Sequence, residues 1–132
     1  MPRSTPALEA LVSFAVSDAV SEVLHTALDG LTMRQNVTAN NIANVDTPNF
    51  RASSVDFETS LQEAISSGQV QDNVQPAVSA RTMPTDTPVG ANNNNVDLRK
   101  EEVAMIQTQY QYQVLGQAVG DHYQLLQQAA GM

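Results

Sequence analysis

Cysteine and tryptophan are absent from this chain of 132 residues, and basic residues are scarce. Without cysteine there is no disulfide, no iron–sulfur cluster and no thiolate zinc site. The redox compartment stays open, since a cysteine-free protein fits any of them. The 2 histidines leave little room for a histidine-rich metal site. No apolar run approaches the ~20 residues that a membrane-spanning helix needs. The 6 glycines are scattered, so no glycine loop cradles a phosphate, and neither a nucleophile elbow nor a paired-carboxylate pattern is present. The chain therefore reads as a non-enzyme with no cofactor, no metal and no small-molecule substrate. Lys and Arg number 6 against 14 Asp and Glu, giving a formal charge of −8 and a pI near 4.4. Such an acidic chain is poorly suited to the phosphates of nucleic acid or of an anionic membrane. Glu9 and Asp18 bracket the apolar start, so no cleaved signal peptide is expected.

Amides are what the chain has in quantity, with 10 Asn and 13 Gln against 3 Phe and 3 Tyr. Few large anchors and many neutral hydrogen-bonding groups suit narrow buried stripes better than a deep core. The length allows one small domain.

Residues 1–16 read as a flexible lead-in, followed by an N-terminal unit over 17–66. A helical pattern starts near Asp18. Leu24, Leu28, Leu31, Gln35, Thr38, Ile42 and Val45 step by 4, 3, 4, 3, 4 and 3, a heptad seam. Val20, Val23, Ala27 and Val37 widen it. This helix should stop between Asn44 and Thr47, because Pro48 disfavours α geometry in the residue before it. Asp46-Thr47-Pro48-Asn49 has turn chemistry. Asp56 is placed to cap a short helix with Phe57, Leu61, Ala64 and Ile65 on one face, ending at Gly68. Residues 67–95 contain three prolines and no sustained period, and read as an irregular or flexible middle. Short strands around 74–78 and 81–83 are the alternative there. A second long helix opens at Asp97, a good N-cap, within a C-terminal unit over 96–132. Its seam reads Leu98, Met105, Tyr112, Val119, Tyr123, Leu126 and Ala130, together with Glu102, Gln109 and Gly116, and Val103, Ile106, Leu115, Leu125 and Ala129 extend it. Gly131 and Met132 form the frayed end.

The expected fold is all-α: two long terminal helices paired as an antiparallel coiled-coil hairpin, with a short helix and a long irregular segment between them. Two helices joined along one seam bury little surface, and the chain has no staple. Other subunits are the remaining source of stability.

The densest motif is Ala39-Asn40-Asn41-Ile42-Ala43-Asn44-Val45-Asp46-Thr47-Pro48-Asn49-Phe50. Asparagine competes with the helix for backbone bonds, so Asn40, Asn41 and Asn44 are locally unfavourable. Two readings stand. They are solvated amides on a fraying helix end, or amides that bond a neighbouring backbone and fix that end inside an assembly.

This string resembles the N-terminal signature of bacterial flagellar rod, hook and axial proteins, A-x-N-I-A-N-x-x-T-x-G-[YF]. Asp46-Thr47-Pro48 with Phe50, then Arg51-Ala52 and Asp56-Phe57, is similar to the proximal-rod type. Asn49 stands where that type has glycine, and asparagine also tolerates positive φ. At the other end, Asn95-Val96-Asp97-Leu98 with Glu101 or Glu102 resembles the motif that opens the family's last helix. Gln109-Tyr110-Gln111-Tyr112-Gln113-Val114-Leu115 resembles Q-x-x-Y-Q-x-L, and Tyr123-Gln124-Leu125-Leu126 resembles the closing segment. The resemblance covers about residues 14–66 and 93–130. It implies a structural subunit of the basal-body rod that polymerises through its terminal helices and forms part of the drive shaft transmitting torque across the envelope. It implies export through the flagellar type III gate, and association with other rod subunits, with itself and with the rod adaptor FliE. Its motif residues, expected at subunit packing, are Asn40, Asn41, Ile42, Asn44, Thr47, Pro48, Phe50, Asp56, Phe57, Val96, Asp97, Leu98, Tyr112, Gln113 and Leu115.

Other residues are open to blander readings. His25 and Asp29 on the first helix would meet Asp121 and His122 on the last only in one register, and a metal or acid–base site would need that convergence. Arg99, Lys100, Glu101 and Glu102 read as a solvated helix start. Tyr110 points away from Tyr112 and is a candidate contact between subunits. Two alternative functions remain: another short axial protein, or a secreted helical-hairpin adaptor acting as a soluble dimer.

Overall fold

The computed structural model describes residues 6–67 and 81–130, without the side chains of 9–19 and 64. The elements run α1 (Pro6–Ala43), β1 (Ser53–Asp56), α2 (Glu58–Ser66), β2 (Arg81–Pro84) and α3 (Leu98–Ala130). At 1.5 Å per residue α1 is about 57 Å long and α3 about 50 Å. They pack together antiparallel. His25 Nε2 meets the Tyr123 hydroxyl at 3.3 Å, Thr32 Oγ1 bonds the Tyr112 hydroxyl, and Arg34 Nη1 donates to Gln111 Oε1 at 3.3 Å.

α1 begins at Pro6, well before Asp18, so most of the expected lead-in is helical. Proline suits a first helical position because its missing N–H has no partner there. Residues 7–17 are rich in Ala, Leu and Val with no single apolar face, and periodicity does not detect such a helix. α1 ends at Ala43, one residue before the expected window. Asp97 Oδ1 accepts the Lys100 N–H at 3.2 Å and caps α3. Asp56 Oδ1 accepts the Thr59 N–H at 3.3 Å and serves the first turn of α2.

A small antiparallel sheet departs from the all-helical expectation. Ser53 pairs with Pro84, Ser54 with Met83, Val55 with Thr82 and Asp56 with Arg81. The expected strand at 74–78, the Gly68 helix stop and the end at 131–132 lie outside the described residues.

The core is compact and sits where β1 and the start of α2 cross α1. Ala27, Leu31, Val55 and Phe57 are buried, with Met33, Val37, Leu61, Tyr112 and Leu115 packed around them. Leu31 is 1% exposed. The ring of Phe57 occupies the notch left by Gly30. A Cβ on that residue would lie 2.4 Å from Phe57 Cγ. The glycine interrupts a helix, at about 1 kcal/mol relative to alanine, because the ring needs its space.

On α1 the residues Leu24, Leu28, Leu31, Gln35, Thr38 and Ile42 are all buried or half-buried, as is Val45 in the turn after it. Val20, expected to widen the stripe, is exposed. On α3 the inward residues are Glu101, Met105, Thr108, Tyr112, Leu115, Val119, His122 and Leu126. Leu98, Glu102, Gln109, Gly116, Tyr123 and Ala130, assigned to the seam from sequence, are exposed, and so are Val103, Ile106, Leu125 and Ala129, expected to extend it. Alternate members of the heptad lie one residue away from those positions. Thr108 takes a central place, 1% exposed, because its hydroxyl donates to Ala104 O at 2.8 Å and needs no further partner.

Gly30→Ala forces the Phe57 ring or the β1–α2 turn to move. We expect a loss of about 1–3 kcal/mol in urea unfolding, the range for an overpacked core. Restoring space with Phe57→Leu on the same chain should recover part of it. An alanine variant as stable as the parent would show that the ring does not need the notch.

Candidate functional site

The two terminal motifs meet at one end of the hairpin, and asparagine amides join them. Asn41, 1% exposed, faces β1. Its Nδ2 donates to Ser53 O at 2.7 Å and its Oδ1 accepts the Ser53 N–H at 3.2 Å. The side chain thus pairs with Ser53 as a neighbouring strand would. Asn44 turns back on its own helix, with Nδ2 donating to Asn40 O at 2.7 Å and Oδ1 accepting from Thr47 Oγ1 at 3.1 Å.

Asn94 and Asn95, both buried, complete the joint from the other side. Asn94 Nδ2 donates to Asn44 O and Thr47 O, each at 2.8 Å, and its Oδ1 accepts the Val96 N–H at 2.8 Å. Asn95 Oδ1 accepts the Ala52 N–H at 2.6 Å, and its backbone N–H donates to Phe50 O at 3.3 Å. Asn49 and Asn93 both adopt positive φ, at 64° and 61°. They contact each other, Asn93 Nδ2 donating to Asn49 Oδ1 at 2.9 Å. Positive φ is where asparagine replaces glycine most readily.

The amides near the end of α1 therefore bond the backbone of this same chain. Asn41 does not lie on a frayed, solvated helix end. Nor does it reserve its amide for a neighbour, because both halves of that amide are satisfied by Ser53.

Arg34 ties the joint to the hairpin. Its guanidinium lies 4.9 Å from the Phe57 ring centroid, pairs with Glu58 at 2.6 Å and donates to Val55 O at 2.9 Å. The same side chain reaches Gln111 on α3. Cation–π contact, ion pair and backbone bond from one arginine hold four elements together. Asp56 is held below its ordinary carboxyl value of 3.8, first by the Thr59 hydroxyl, then by the Thr59 N–H, with Arg34 and Arg81 adding attraction.

The remaining motif residues are spread around this joint. Phe57 is in the core, and Ile42, Phe50, Val96 and Leu115 are half-buried. Asn40, Thr47, Pro48, Asp97, Leu98 and Gln113 are exposed. Sequence reasoning missed Gly30, Arg34, Asn94 and Thr108, and named Asn95 only as part of the motif that opens α3. Gly30 carried a signal as the lone glycine of a long helical pattern, and the run from Asn92 to Asn95 carried another.

Catalytic geometry is not assembled around the histidines. His25 meets Tyr123, and Tyr123 also lies tilted against His122 with ring centroids 6.3 Å apart. Asp29 and Asp121 are exposed. Among the described residues no group of three or more His, Asp or Glu could hold a metal ion.

A second apolar face lies on α3, opposite the one packed on α1. Val103, Ile106, Tyr110, Val114 and Leu125 are all at least half exposed, with Ile106 at 66% and Tyr110 at 68%. Val103, Ile106, Tyr110 and Val114 lie on successive turns, and Gln117 and Asp121 separate them from Leu125; exposed apolar surface of this kind marks a contact site.

The family model described as "Flagella basal body rod protein" matches residues 22–51, the seamed part of α1 and the turn after it. The flagellar basal body rod protein FlgB of Borreliella burgdorferi is 32% identical over 111 residues, covering 69% of this chain and 80% of that protein. FlgB of Bacillus subtilis is 37% identical over 100 residues, covering 70% and 78%. FlgB of Borrelia hermsii is 57% identical over 44 residues, 33% of each chain.

Asn41→Ala leaves the Ser53 N–H and C=O without their partners. We expect it to lose about 2–3 kcal/mol in urea unfolding. Asn40→Ala, at an exposed position, should stay within about 0.5 kcal/mol. Equal effects would show that the Ser53 pairing contributes nothing. Carboxyl NMR should find Asp56 titrating below 3.8. The depressed value means that its contribution is present above the unfolded value and lost as pH falls through the folded one. Thr59→Val should move the titration back up, and an unchanged curve would show that the hydroxyl bond is not made.

Proposed function

The chain belongs to the FlgB family of flagellar basal body rod proteins, and from that premise we propose how it is used. It is a structural subunit of the basal-body rod, not an enzyme. It acts by self-assembly and by association with other rod components.

The finer reading is as follows. Residues 17–66 and 96–132 form one axial domain, in which the asparagine joint fixes the angle between the helices. The paired helices enter a coiled-coil wall of neighbouring subunits. The subunit lies at the proximal end of the rod, beside the adaptor FliE and the type III export gate. It is periplasmic in a two-membrane cell, is exported without a cleaved signal, and passes torque to the next subunit of the envelope-spanning rod. The motif residues act in this packing mainly through the joint they build, since Asn41, Asn44, Asp56 and Phe57 bond or pack within the chain.

One observation supports this reading above the rest. The joint satisfies its polar groups internally, while the first half of α3 leaves Val103, Ile106, Tyr110 and Val114 for others to cover. That division suits a preformed piece that is completed by assembly.

Ile106→Asp tests it. The residue is two-thirds exposed, so the isolated chain should keep its stability within about 0.5 kcal/mol. Mass spectrometry of purified basal bodies should find the parent chain present and the variant strongly depleted. A variant incorporated like the parent would remove the stripe from the assembly face. Absence of the parent itself from basal bodies would overturn the rod reading.

A further inference from the structure

We propose that Glu101 is an end-stop for the hairpin: it holds α3 in one register along α1 and so fixes which surface the molecule presents.

Glu101 is the only buried acid among the described residues, 6% exposed on the inward face of α3. Among those residues its carboxylate makes no ion pair and accepts no hydrogen bond, and neither oxygen is sealed from solvent. The stem is packed and the charged tip just reaches water. The chain's cations do not serve it. Arg34 pairs with Glu58, Arg51 donates to Asn93 and Lys100 to Thr87, while Arg99 on the same first turn is exposed. Asp97 and Glu102 beside it carry the same sign. A carboxylate so placed tolerates no deeper position.

The pattern of the two helices makes a deeper position available. From Glu101 to Leu126 the inward residues of α3 step by 4, 3, 4, 3, 4, 3 and 4, and from Leu24 to Ile42 those of α1 step by 4, 3, 4, 3 and 4. Both are heptad repeats, so a slide of seven residues returns the same two faces to each other. Helix length favours one direction. His25 stands opposite Tyr123, and Arg34 opposite Gln111. Carried along both helices, this places Glu101 opposite about residue 45, past Ala43 where α1 ends. The first turn of α3 therefore overhangs α1. Sliding α3 by seven residues, about 10 Å, towards the start of α1 would lay that turn along helix. α1 begins at Pro6 and is long enough to keep all of α3 beside it. Sliding the other way would only lengthen the overhang.

The inward slide brings Glu101 opposite about residue 38, where Thr38 is 5% exposed. There the carboxylate leaves water with no cation to meet it. Thr108 offers no such resistance, since its hydroxyl carries its bond to Ala104 O along with it. Glu101 thus opposes the one slide that periodicity and helix length permit. A shifted hairpin would carry Val103, Ile106, Tyr110 and Val114 about 10 Å along α1, away from their place beside the β1–α2 core. One register gives one outward surface.

The chain has no cysteine, which makes the test direct. Asn36→Cys and Gln127→Cys, both at exposed positions, carry spin labels on the isolated full chain. The two sites are offset along the hairpin, so the slide lengthens their separation by about 10 Å. Electron–electron double resonance should give a single separation for the parent and for Glu101→Gln, whose amide also needs water. Glu101→Leu, and Glu101→Met as a second variant, should add a longer separation in about a tenth or more of the chains. Asn94→Ala, which loosens the joint but keeps Glu101, should stay at the parent separation. A single parent separation in both apolar variants would overturn the stop. So would a longer separation in Asn94→Ala alone, which would assign the register to the joint. Loss of helical circular dichroism in both apolar variants would also overturn it, since a stop is not needed to fold.

Discussion

A helix that ends in a turn leaves its last carbonyls without helical partners, and a buried carbonyl without a partner is unfavourable by a few kcal/mol. At the end of α1 the N–H groups of Asn44 and Val45 meet the carbonyls of Asn40, Asn41 and Ile42, and side-chain amides meet the backbone of the turn that follows. Asn94 Nδ2 reaches the carbonyls of Asn44 and Thr47 from a loop some fifty residues away. Asn41 meets the backbone of Ser53 with both ends of its amide. Asn95 meets the N–H of Ala52. These bonds bring the loop before α3 against the loop after α1, and the helices that leave those loops must then run side by side. Neutral amides can do this in a buried place because they carry donor and acceptor together and no charge to desolvate.

The apolar core reinforces the same joint. Phe57 seats its ring on Gly30, and Arg34 lies over that ring while bonding Val55 and Glu58. Farther along the hairpin the packing thins. Gly116 and Gly120 face open space, and Leu125 is exposed. Order is concentrated at one end of a long, thin object, and the rest of each helix presents surface. A subunit of a polymer needs that distribution: a joint that fixes direction without help, and arms whose apolar faces are left for neighbours.

The sequence made some of this legible and hid the rest for physical reasons. The seam of α1 was readable because leucines mark a regular period. The α3 seam was read one residue off at alternate positions, because threonine and glutamate hold inward places there and periodicity counts apolar residues. Thr108 enters by bonding its own helix, a local device with no apolar signature. The bonds of Asn41 and Asn94 were not readable, since an amide gives no sign of whether its partner is water, a neighbour or a distant part of the chain. β2 was legible only as the alternative strand at 81–83, because a four-residue exposed strand is defined by the strand it meets. The family resemblance identified the right segments without saying what they do.

Charge limits how such subunits come together. Each chain carries −8, so copies repel over a Debye length, about 8 Å at physiological ionic strength. Apolar stripes overcome this only where they are in contact, and contact must first be reached. Arg51 and Arg34 are engaged within the joint. Arg99 and Lys100 stand at the start of α3 among Asp97, Glu101 and Glu102, so that end is net acidic as well. Charge therefore opposes approach from either end, and which pairing forms is decided by the apolar surface that contact buries.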